Sequence, residues 1–350
     1  MAFSEKFEDA LLLVAEKVDG NQYLTAIKNA FTAYMPFIIV GSFATLFNTL
    51  ICSTSIGLAA LIPAAASLKP AFTAINFATM SFMTIPIVFL IAMNLAKNDN
   101  LPPQLAGVAA ACAYITVIPQ TVTVLVDGVA NSAAGLASTT LGAQGLFIGM
   151  IVAVIAEKIF ARLMKFEAIK IKMPPSVPAA ISQSFNTLIP ILITLTITAV
   201  GGILFYLATG SYLNEWVYSV IQSPLEIIFQ SPVGIIGIVI ISQIFWFLGI
   251  HGGLIISPIR NPLMSAAIAA NTAAVAAGSV ANQPVTMGFW TFFIVAGGAG
   301  MILSLIIAIF LFSKREDHRM IAKLGAIPAL CGISEPVVFG LPLVLNPTFA

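Results

Sequence analysis

Long apolar runs separated by short polar loops dominate the pattern of hydrophobic and polar positions along this chain. Each run is close to the ~20 residues that an α-helix needs to cross the hydrocarbon core of a bilayer. The pattern therefore predicts an all-α chain of membrane-spanning helices. The predicted spans are Phe31–Ile51, Phe77–Ala96, Leu105–Val126, Leu146–Phe166, Leu188–Leu207, Gly234–Ile250 and Gly288–Phe312.

The apolar segment from His251 to Pro284 has a different pattern, because residues that break helices or carry polar groups interrupt it. These residues are Gly252, Gly253, Pro258, Arg260, Asn261, Pro262 and Asn271. Irregular backbone at membrane depth is tolerated only where it packs inside protein or lines a cavity. The segment is therefore predicted to form a re-entrant hairpin or a broken helix rather than a plain crossing.

The first residues have an amphipathic pattern. Between Phe3 and Val18 the apolar side chains share one helical stripe and acidic side chains occupy the other face. This arrangement is typical of a helix that lies in the membrane interface, and we predict one over residues 1–22. The acidic start and the lack of a cleavage site do not fit a signal peptide, so we expect the mature chain to begin here.

Composition makes the membrane assignment firm. Hydrophobic residues account for 59% of the chain and charged residues for 8%, with a mean hydropathy of +1.02. An average soluble domain has about 25% charged residues. The net charge of only +1 gives no reason to expect a nucleic-acid partner. We therefore predict a polytopic integral membrane protein.

The cysteine and motif patterns predict no cofactor and no metal site. Cys52, Cys112 and Cys331 lie in or beside apolar runs without metal-ligand spacing, so we interpret them as small buried side chains. No nucleotide-binding or catalytic-triad motif is present. An intrinsic ATP-driven pump is therefore not expected.

The basic residues are concentrated in two loops. One group follows the fourth predicted span and the other follows the last, whereas residues 127–141 and 210–223 contain no Lys or Arg. Because cytoplasmic loops carry the excess of Lys and Arg, we predict that both basic loops and the N-terminus are cytoplasmic. The basic residues are Lys158, Arg162, Lys165, Lys170, Lys172, Lys314, Arg315, Arg319 and Lys323.

Small residues are dense at 106–110 and at 296–300. Small side chains let helix backbones approach closely in lipid. We interpret both runs as helix-packing surfaces of a bundle.

Glu335 is the strongest candidate for a functional residue. It is a single carboxylate among apolar residues, in a stretch whose Pro and Gly residues forbid a continuous helix. An ionisable side chain at membrane depth costs about 2.5 to 3.5 kcal/mol on insertion scales. Glu335 is therefore expected to face a polar cavity or a ligand rather than lipid.

A second polar point lies at His251, which follows an aromatic run and precedes two glycines. The structural alternative is a histidine hydrogen-bonded at a helix end, and for His251 alone it is the more frequent outcome. The functional interpretation gains weight because Trp246 could stack on the apolar face of a sugar. Gly253 could offer its backbone to hydroxyl groups.

Arg260 and Asn94 are weaker candidates for substrate binding. Arg260 could pair with Glu335 or meet an incoming phosphoryl donor, but a structural ion pair or a cation reaching the interface is slightly favoured. Asn94 could bind hydroxyl groups, although an asparagine in such a helix as often bonds to neighbouring helices.

The segment Ile333–Pro342, with Asn346-Pro347 after it, resembles the signature of enzyme IIC, the membrane subunit of phosphotransferase-system sugar transporters of the lactose/cellobiose/diacetylchitobiose family. Further segments with the same resemblance extend it over essentially the whole chain. They are Phe245–Gly252, Ile171–Pro178 with Ser184-Phe185, and Asn21–Lys28 before Met35-Pro36.

The resemblance implies an architecture. It implies a homodimer in which residues 23–207 form an N-terminal five-span bundle at the dimer interface. It also implies that residues 208–350 form the sugar-binding transport domain with two re-entrant hairpins. Family members continue with further membrane segments after the Asn-Pro motif, so the sequence is expected to be either a fragment or a protein with a truncated transport domain.

The resemblance also implies a reaction. A β-linked disaccharide of the cellobiose, diacetylchitobiose or lactose type would be phosphorylated on its 6-hydroxyl by a separate phosphorylated enzyme IIB. Enzyme IIA, HPr and enzyme I would act upstream, and the chain would be the permease component of a sugar kinase complex. Glu335 would bind sugar hydroxyls, and His251 would lie near the hydroxyl that reacts. The alternative is a proton-coupled secondary sugar transporter.

Overall fold

The computed structural model describes residues 20–126, 129–249, 251–330, 332–341 and 343–344. The predicted interfacial helix at Phe3–Val18 and the Asn346-Pro347 pair lie outside the described residues. The described chain is mainly helical, as the apolar runs predicted. Three described segments are long and apolar enough to cross a membrane: Gln22–Cys52, Ala179–Thr209 and Met287–Phe312. The number rises to five if each of two bent helix pairs counts as one span.

The chain forms two compact units. The first, here called the N-terminal unit, contains Gln22–Glu226 and Ile268–Asn282. The second, here called the C-terminal unit, contains the described residues of Met1–Asn21, Ile227–Ala267 and Gln283–Ala350. The boundary predicted between residues 207 and 208 remains a prediction, although the structure groups residues 208–226 with the preceding helices.

The N-terminal unit begins with a long helix and a bent pair of helical segments. The helix α1 spans Gln22–Cys52, and two 3-10 turns lead from it to α2 at Lys69–Asn76. A π-turn at Phe77–Ser81 then precedes α3 at Thr84–Asn98, and the chain bends by 41° between Pro63–Ser81 and α3. The predicted span at Phe77–Ala96 is therefore bent.

The centre of this unit is made of close-packed helices. The helices α3, α4 at Pro103–Thr116 and α6 at Leu146–Leu163 bury small and apolar side chains against one another. Gly107 lies so close to Phe89 that an added Cβ would be 2.6 Å from its ring. The run at 106–110 therefore packs helices, as predicted, because a larger side chain there would force the backbones apart.

The third predicted span, Leu105–Val126, is wrong at its C-terminal end. The helix α4 ends at Thr116, and Thr121–Val126 forms strand β1, which pairs antiparallel with β2 at Val129–Ala134. Pro119 interrupts the helical path, and the run of Thr and Val that follows it has a high strand propensity. Hydropathy alone does not separate such a strand from a helix.

Short helical segments connect the hairpin to α6, and a long helix follows. These segments are α5 at Ser138–Leu141 and a 3-10 turn at Ala143–Gly145. After α6 and a basic loop, α7 spans Ala179–Thr209 and ends at Gly210 in the left-handed conformation, with φ +73°. Leu192, Leu204 and Leu207 are exposed on α7, as expected of side chains that face lipid.

Both ends of the central bundle can be recognised from its contacts. Asp99, just after α3, accepts a hydrogen bond from Lys158 near the end of α6, at 2.6 Å. At the other end of the bundle, Tyr114 donates to the carbonyl oxygen of Thr140 at 2.5 Å. The end of α3 and the end of α6 therefore lie together, and the hairpin and its neighbours lie at the opposite end.

The chain passes into the C-terminal unit through broken helical segments. The helix α8 spans Leu213–Val217, a π-turn follows at Tyr218–Gln222, and α9 spans Ser223–Gln230. Next comes α10 at Pro232–Phe247, where the Oγ of Ser231 caps the helix by accepting from the amide of Gly234 at 3.0 Å. The side chain of Gln230 exchanges two hydrogen bonds with the backbone of Val285, at 2.8 and 3.1 Å.

The helical path from His251 to Pro284 is divided near its start, which agrees with the broken helix that was one of the two predicted forms. After α11 at Gly252–Ile255, a single helix α12 spans Ser257–Ala276 and contains Pro262 in its interior. Pro262 has no amide hydrogen, so the carbonyl oxygen of Pro258 loses its helical partner, but the helix continues past this residue. The structure therefore contradicts a break at this proline, and a re-entrant course remains a prediction.

The predicted packing surface at 296–300 is wrong. After α13 at Met287–Phe289 and a π-turn at Trp290–Ile294, the chain leaves the helix before α14 at Ile302–Phe312. Gly297, Gly298 and Gly300 have φ values of +74°, +91° and +61°, which L side chains rarely adopt. These glycines interrupt the helix inside the predicted span Gly288–Phe312, although the segment Met287–Phe312 remains long and apolar enough to cross a membrane.

The core of the C-terminal unit lies between its last helices. The helix α14 packs Ile302, Ile306 and Ile309 against α15 at Glu316–Leu330 and α16 at Glu335–Val338. Gly332, with φ +80°, turns the chain between α15 and α16.

One cysteine interpretation is corrected. Cys52 is buried, as predicted, but Cys112 is exposed on α4. Cys331 lies outside the described residues.

Candidate functional site

His251 is positioned by a turn and a short helix. The helix α10 ends at Phe247, and Gly249, with φ +78°, turns the chain toward α11. His251 then caps α11, because its Nδ1 accepts a hydrogen bond from the amide of Leu254 at 3.1 Å. An imidazole that accepts at Nδ1 carries its proton on Nε2. The Nε2 atom is therefore a donor.

Glu335 lies opposite this donor. The Nε2 of His251 is 3.3 Å from the Oε1 of Glu335, and the two side chains are 37% and 40% exposed. Glu335 begins the short helix α16, just after the Gly332 turn and the buried Ser334. The structure thus brings together the two strongest candidates of the sequence. Their exposure leaves both polar groups open to a ligand.

Trp246 contacts the imidazole directly. The ring centroids of Trp246 and His251 are 4.4 Å apart, and Trp246 is 8% exposed. Most of the indole surface is thus covered within the chain. Its contact with His251 restricts the orientation of the imidazole. Its predicted stacking on a sugar remains a prediction.

Gly253 and Arg260 lie beside the pair. A Cβ added at Gly253 would be 3.2 Å from Cε1 of His251 and 3.7 Å from Nη1 of Arg260. A Cβ at this position would therefore be tight against the imidazole, whereas its distance from Arg260 would be an ordinary van der Waals contact. This proximity is compatible with the predicted role of both residues in substrate binding.

Arg260 has no acidic partner in the part of the chain that the structure describes, so the predicted pairing with Glu335 does not form. Its guanidinium lies over the ring of Trp290, 4.6 Å from the centroid, and its Nε and Nη2 donate to Oδ1 of Asn261 at 3.3 and 3.1 Å. Cation–π contact and one neutral acceptor hold this charge in place. Arg260 therefore keeps an uncompensated positive charge.

Asn94 belongs to the N-terminal unit, whereas the residues above belong to the C-terminal unit. Its Nδ2 donates to the carbonyl oxygen of Leu90, one turn earlier in α3, at 2.8 Å. The predicted contact of Asn94 with sugar remains a prediction.

Two supporting residues were not singled out from the sequence. Trp290 lies in an apolar run that resembles any lipid-facing segment, and Asn261 was considered only as a helix breaker. Both contact Arg260. The described residues contain no group of three or more His, Cys, Asp or Glu side chains that could hold a metal ion.

Long apolar helices with exposed Leu and Ile side chains define an integral membrane protein, and the half-exposed histidine–carboxylate pair gives it a polar site. The family model described as "Phosphotransferase system, EIIC" matches residues 28–350. The chain belongs to this family of membrane-embedded permeases.

Individual proteins show the same relationship. The chain is 30% identical over 345 residues to the oligo-beta-mannoside-specific EIIC component of Bacillus subtilis, covering 98% of this chain and 76% of that protein. It is 29% identical to the lactose-specific EIICB component of Lacticaseibacillus casei, covering 98% and 58%. The crystal structure of ChbC, the IIC component of the N,N'-diacetylchitobiose-specific system, aligns with a TM-score of 0.87 and 28% identity, over 97% of this chain and 79% of that one.

Proposed function

We propose that this chain binds a β-linked disaccharide and presents it for phosphorylation by phosphorylated enzyme IIB during uptake. The single observation that carries the proposal is the His251–Glu335 pair, with 3.3 Å between Nε2 and Oε1 and both side chains partly exposed. A donor and an acceptor side by side match the alternating donors and acceptors of sugar hydroxyls.

The sugar class is inferred from the relatives. The names of the three proteins above specify oligo-β-mannosides, lactose and N,N'-diacetylchitobiose. All three contain β-linked pyranose rings, so we infer that the substrate of this chain belongs to the same class, as cellobiose does.

The transfer step requires a base and a positive charge. The oxygen of the sugar 6-hydroxyl forms a bond to phosphorus while the S–P bond of the phosphocysteine of enzyme IIB breaks. The hydroxyl proton passes to Glu335, and His251 and Arg260 stabilise the negative charge of the phosphoryl group. The uncompensated charge of Arg260 suits this role.

The phosphate donor is proposed to be another protein. Among the described residues, Cys52 and Cys112 lie in the apolar helices α1 and α4, and neither lies in a soluble domain that could carry the phosphoryl group. The lactose-specific relative is named an EIICB component, which indicates that the B part is joined to the C part in that protein. Enzyme IIA, HPr and enzyme I are proposed to act upstream of enzyme IIB.

The architecture of the family supports three further proposals. The protein is a homodimer that assembles through residues 23–207, residues 208–350 carry the transport function, and the N-terminus is cytoplasmic. The basic residues near the end of α6 support this orientation. Mass measurement of the purified protein in detergent tests the dimer.

One experiment tests the central proposal. Vesicles that contain the protein take up labelled cellobiose in the presence of phosphorylated enzyme IIB, and the internal label is analysed. We expect sugar phosphate inside and no uptake without the phosphorylated partner. Accumulation of free sugar that collapses with the proton gradient would instead support the proton-coupled alternative.

A further inference from the structure

A cavity lies within the N-terminal unit. Its volume is about 650 Å³, within the range of ligand-binding pockets. Strand β1, the turn before α6 and the segment around α8 line this half-open cavity. Its polar lining includes Thr123, Gln144, Tyr212, Asn214, Glu215 and Tyr218.

The cavity lies at the end of the bundle opposite the basic residues. Its walls are joined near Thr140, which accepts from Tyr114, and near Ala143, whose carbonyl oxygen accepts from Nε2 of Gln222 at 2.9 Å. Residues 121–145 and 210–226 contain no Lys or Arg, whereas Lys158 and its neighbours occupy the other end. By the positive-inside rule, we therefore expect the cavity to lie on the outer side of the membrane.

The lining has the chemistry of a neutral, hydroxyl-rich ligand. Half-buried Tyr212 and Tyr218 offer aromatic faces to the C–H face of a pyranose ring. Glu215, Asn214 and Gln144 offer acceptors and donors to hydroxyl groups. No Lys or Arg lines the cavity, so it does not suit phosphate, and its many polar groups do not suit an acyl chain.

The supporting structure holds these groups in place. Tyr212 packs on Tyr206 with 4.7 Å between ring centroids, and Asn214 is buried. The π-turn Tyr218–Gln222 is anchored by the amide of Gln222, which also donates to Oε1 of Glu226 at 2.7 Å. Single π-helical turns inside α-helices are frequent at functional sites.

We propose that this cavity is a second saccharide-binding site that captures a pyranose ring of the β-linked substrate on the outer side of the membrane. The proposal rests on the proposed function for the sugar class and the orientation. The cavity shares no residue with the His251–Glu335 pair, so the two sites can be tested separately.

Cysteine protection tests the proposal. Glu215→Cys is introduced after all three native cysteines have been replaced, and intact cells are treated with a membrane-impermeant thiol reagent. Glu215 is exposed and lines the cavity. We expect cellobiose to slow the modification of this cysteine severalfold. Ser219→Cys, exposed in the next turn but not part of the lining, is the matched control and is expected to react at an unchanged rate.

The same measurement in a Glu335→Gln background separates the two sites. If cellobiose still protects the Glu215→Cys protein in this background, a separate outer site is supported. This conclusion holds even if Glu335→Gln leaves uptake intact, a result that would refute the proposed function. Protection that is absent, or that disappears with Glu335→Gln, overturns the outer site. Modification only by permeant reagents also overturns it, because the cavity would then open inward.

Transport kinetics provide a second readout. Tyr218→Ala is expected to raise the cellobiose concentration for half-maximal uptake about fivefold while the maximal rate is kept, because only capture is weakened. Tyr218→Phe keeps the aromatic face, and its half-maximal concentration is expected to stay near that of the wild type. A half-maximal concentration for Tyr218→Ala equal to that of the wild type would contradict the proposal.

Discussion

At the scale of single residues, His251 has two roles that the structure separates by atom. Its Nδ1 closes the first turn of α11 by accepting from Leu254, and its Nε2 faces Glu335. The helix cap fixes the tautomer that makes Nε2 a donor. The local fold of α11 therefore determines what the imidazole can offer to a ligand.

Glu335→Gln keeps the shape of the side chain and removes its charge and basicity. We expect phosphorylation of cellobiose to fall by about 10²-fold or more, the usual contribution of a positioned acid or base. Initial rates with phosphorylated enzyme IIB measure the effect. Glu316→Gln, an exposed residue at the start of α15, is the matched control and should keep the wild-type rate. A wild-type rate for Glu335→Gln would exclude the proposed role.

His251→Ala and His251→Asn distinguish the two roles of the imidazole. Both variants lose Nε2 and should transfer phosphate slowly, whereas only Asn retains a side-chain acceptor suited to the helix cap. We expect His251→Ala to be less stable than His251→Asn by about 1 kcal/mol, the typical value of an N-cap. Thermal unfolding in detergent measures the difference. Equal stability of the two variants would show that the Nδ1 contact does not contribute.

At the scale of elements, glycines with positive φ divide apolar runs into shorter segments. Gly249 precedes the turn to His251, and Gly332 precedes Glu335. A continuous helix through either point would carry the two side chains in other directions. These breaks therefore position the candidate site.

Gly298→Ala tests the break between the π-turn at Trp290–Ile294 and α14. The added Cβ would meet Cβ of Ser334 at 2.9 Å, and its φ of +91° is unfavourable for L-residues. We expect a loss of stability of about 1 to 3 kcal/mol, measured by thermal unfolding. Gly237→Ala is the control, since nothing lies within 4 Å of its added Cβ and its helix α10 should be unaffected or slightly stabilised. A Gly298→Ala protein as stable as wild type would contradict the strain.

The contact between Asp99 and Lys158 joins the ends of α3 and α6. The hydrogen bond from Lys158 lowers the pKa of Asp99 below its usual value. Because this pKa is lowered in the folded state, the pair stabilises the protein above pH ~3.9 and its contribution disappears as the pH falls through the lowered pKa. Asp99→Asn should cost about 0.5 kcal/mol at neutral pH.

Thermal unfolding of wild type and Asp99→Asn at several pH values checks this dependence. The two melting temperatures should differ at pH 7 and converge in acid, once Asp99 is protonated. A difference that is the same at every pH would show that the charge of Asp99 is not what stabilises the contact.

At the scale of the whole molecule, the placement of charge predicts the orientation. Lys172 lies in the basic loop after α6, Ser219 lies beyond α7, and both residues are exposed. Each is replaced by cysteine in a separate variant, Lys172→Cys and Ser219→Cys. In protein whose native cysteines have been replaced, we expect a membrane-impermeant thiol reagent to modify the Ser219→Cys protein in intact cells. The Lys172→Cys protein should react only in inverted vesicles. The reverse pattern would place the N-terminus outside.

Much of the candidate site could be predicted from the sequence. Glu335 was recognisable because a lone carboxylate between Pro and Gly is costly in an apolar run, and His251 because glycines follow it. The contact of Arg260 with Trp290 could not be predicted, because the two residues lie thirty positions apart and nothing in the apolar run around Trp290 marks it as a partner.

The errors about elements have a common physical cause. Hydropathy reports how much a segment prefers an apolar environment, but not which backbone conformation satisfies its hydrogen bonds there. The strand Thr121–Val126 was therefore predicted as helix. The glycines at 297–300 were predicted to pack a helix that they instead interrupt, while Pro262 was predicted to break a helix that continues.

The sequence by itself determined that this protein belongs in the membrane, that it is helical, and which two ionisable side chains require a polar environment. These properties follow from transfer energies, which depend on local composition. Only the tertiary structure decided that Nε2 of His251 meets Glu335 and that Arg260 lies over Trp290 without an acidic partner among the described residues. Such contacts depend on turns and packing between segments distant in the chain, and these relationships are not contained in any local pattern.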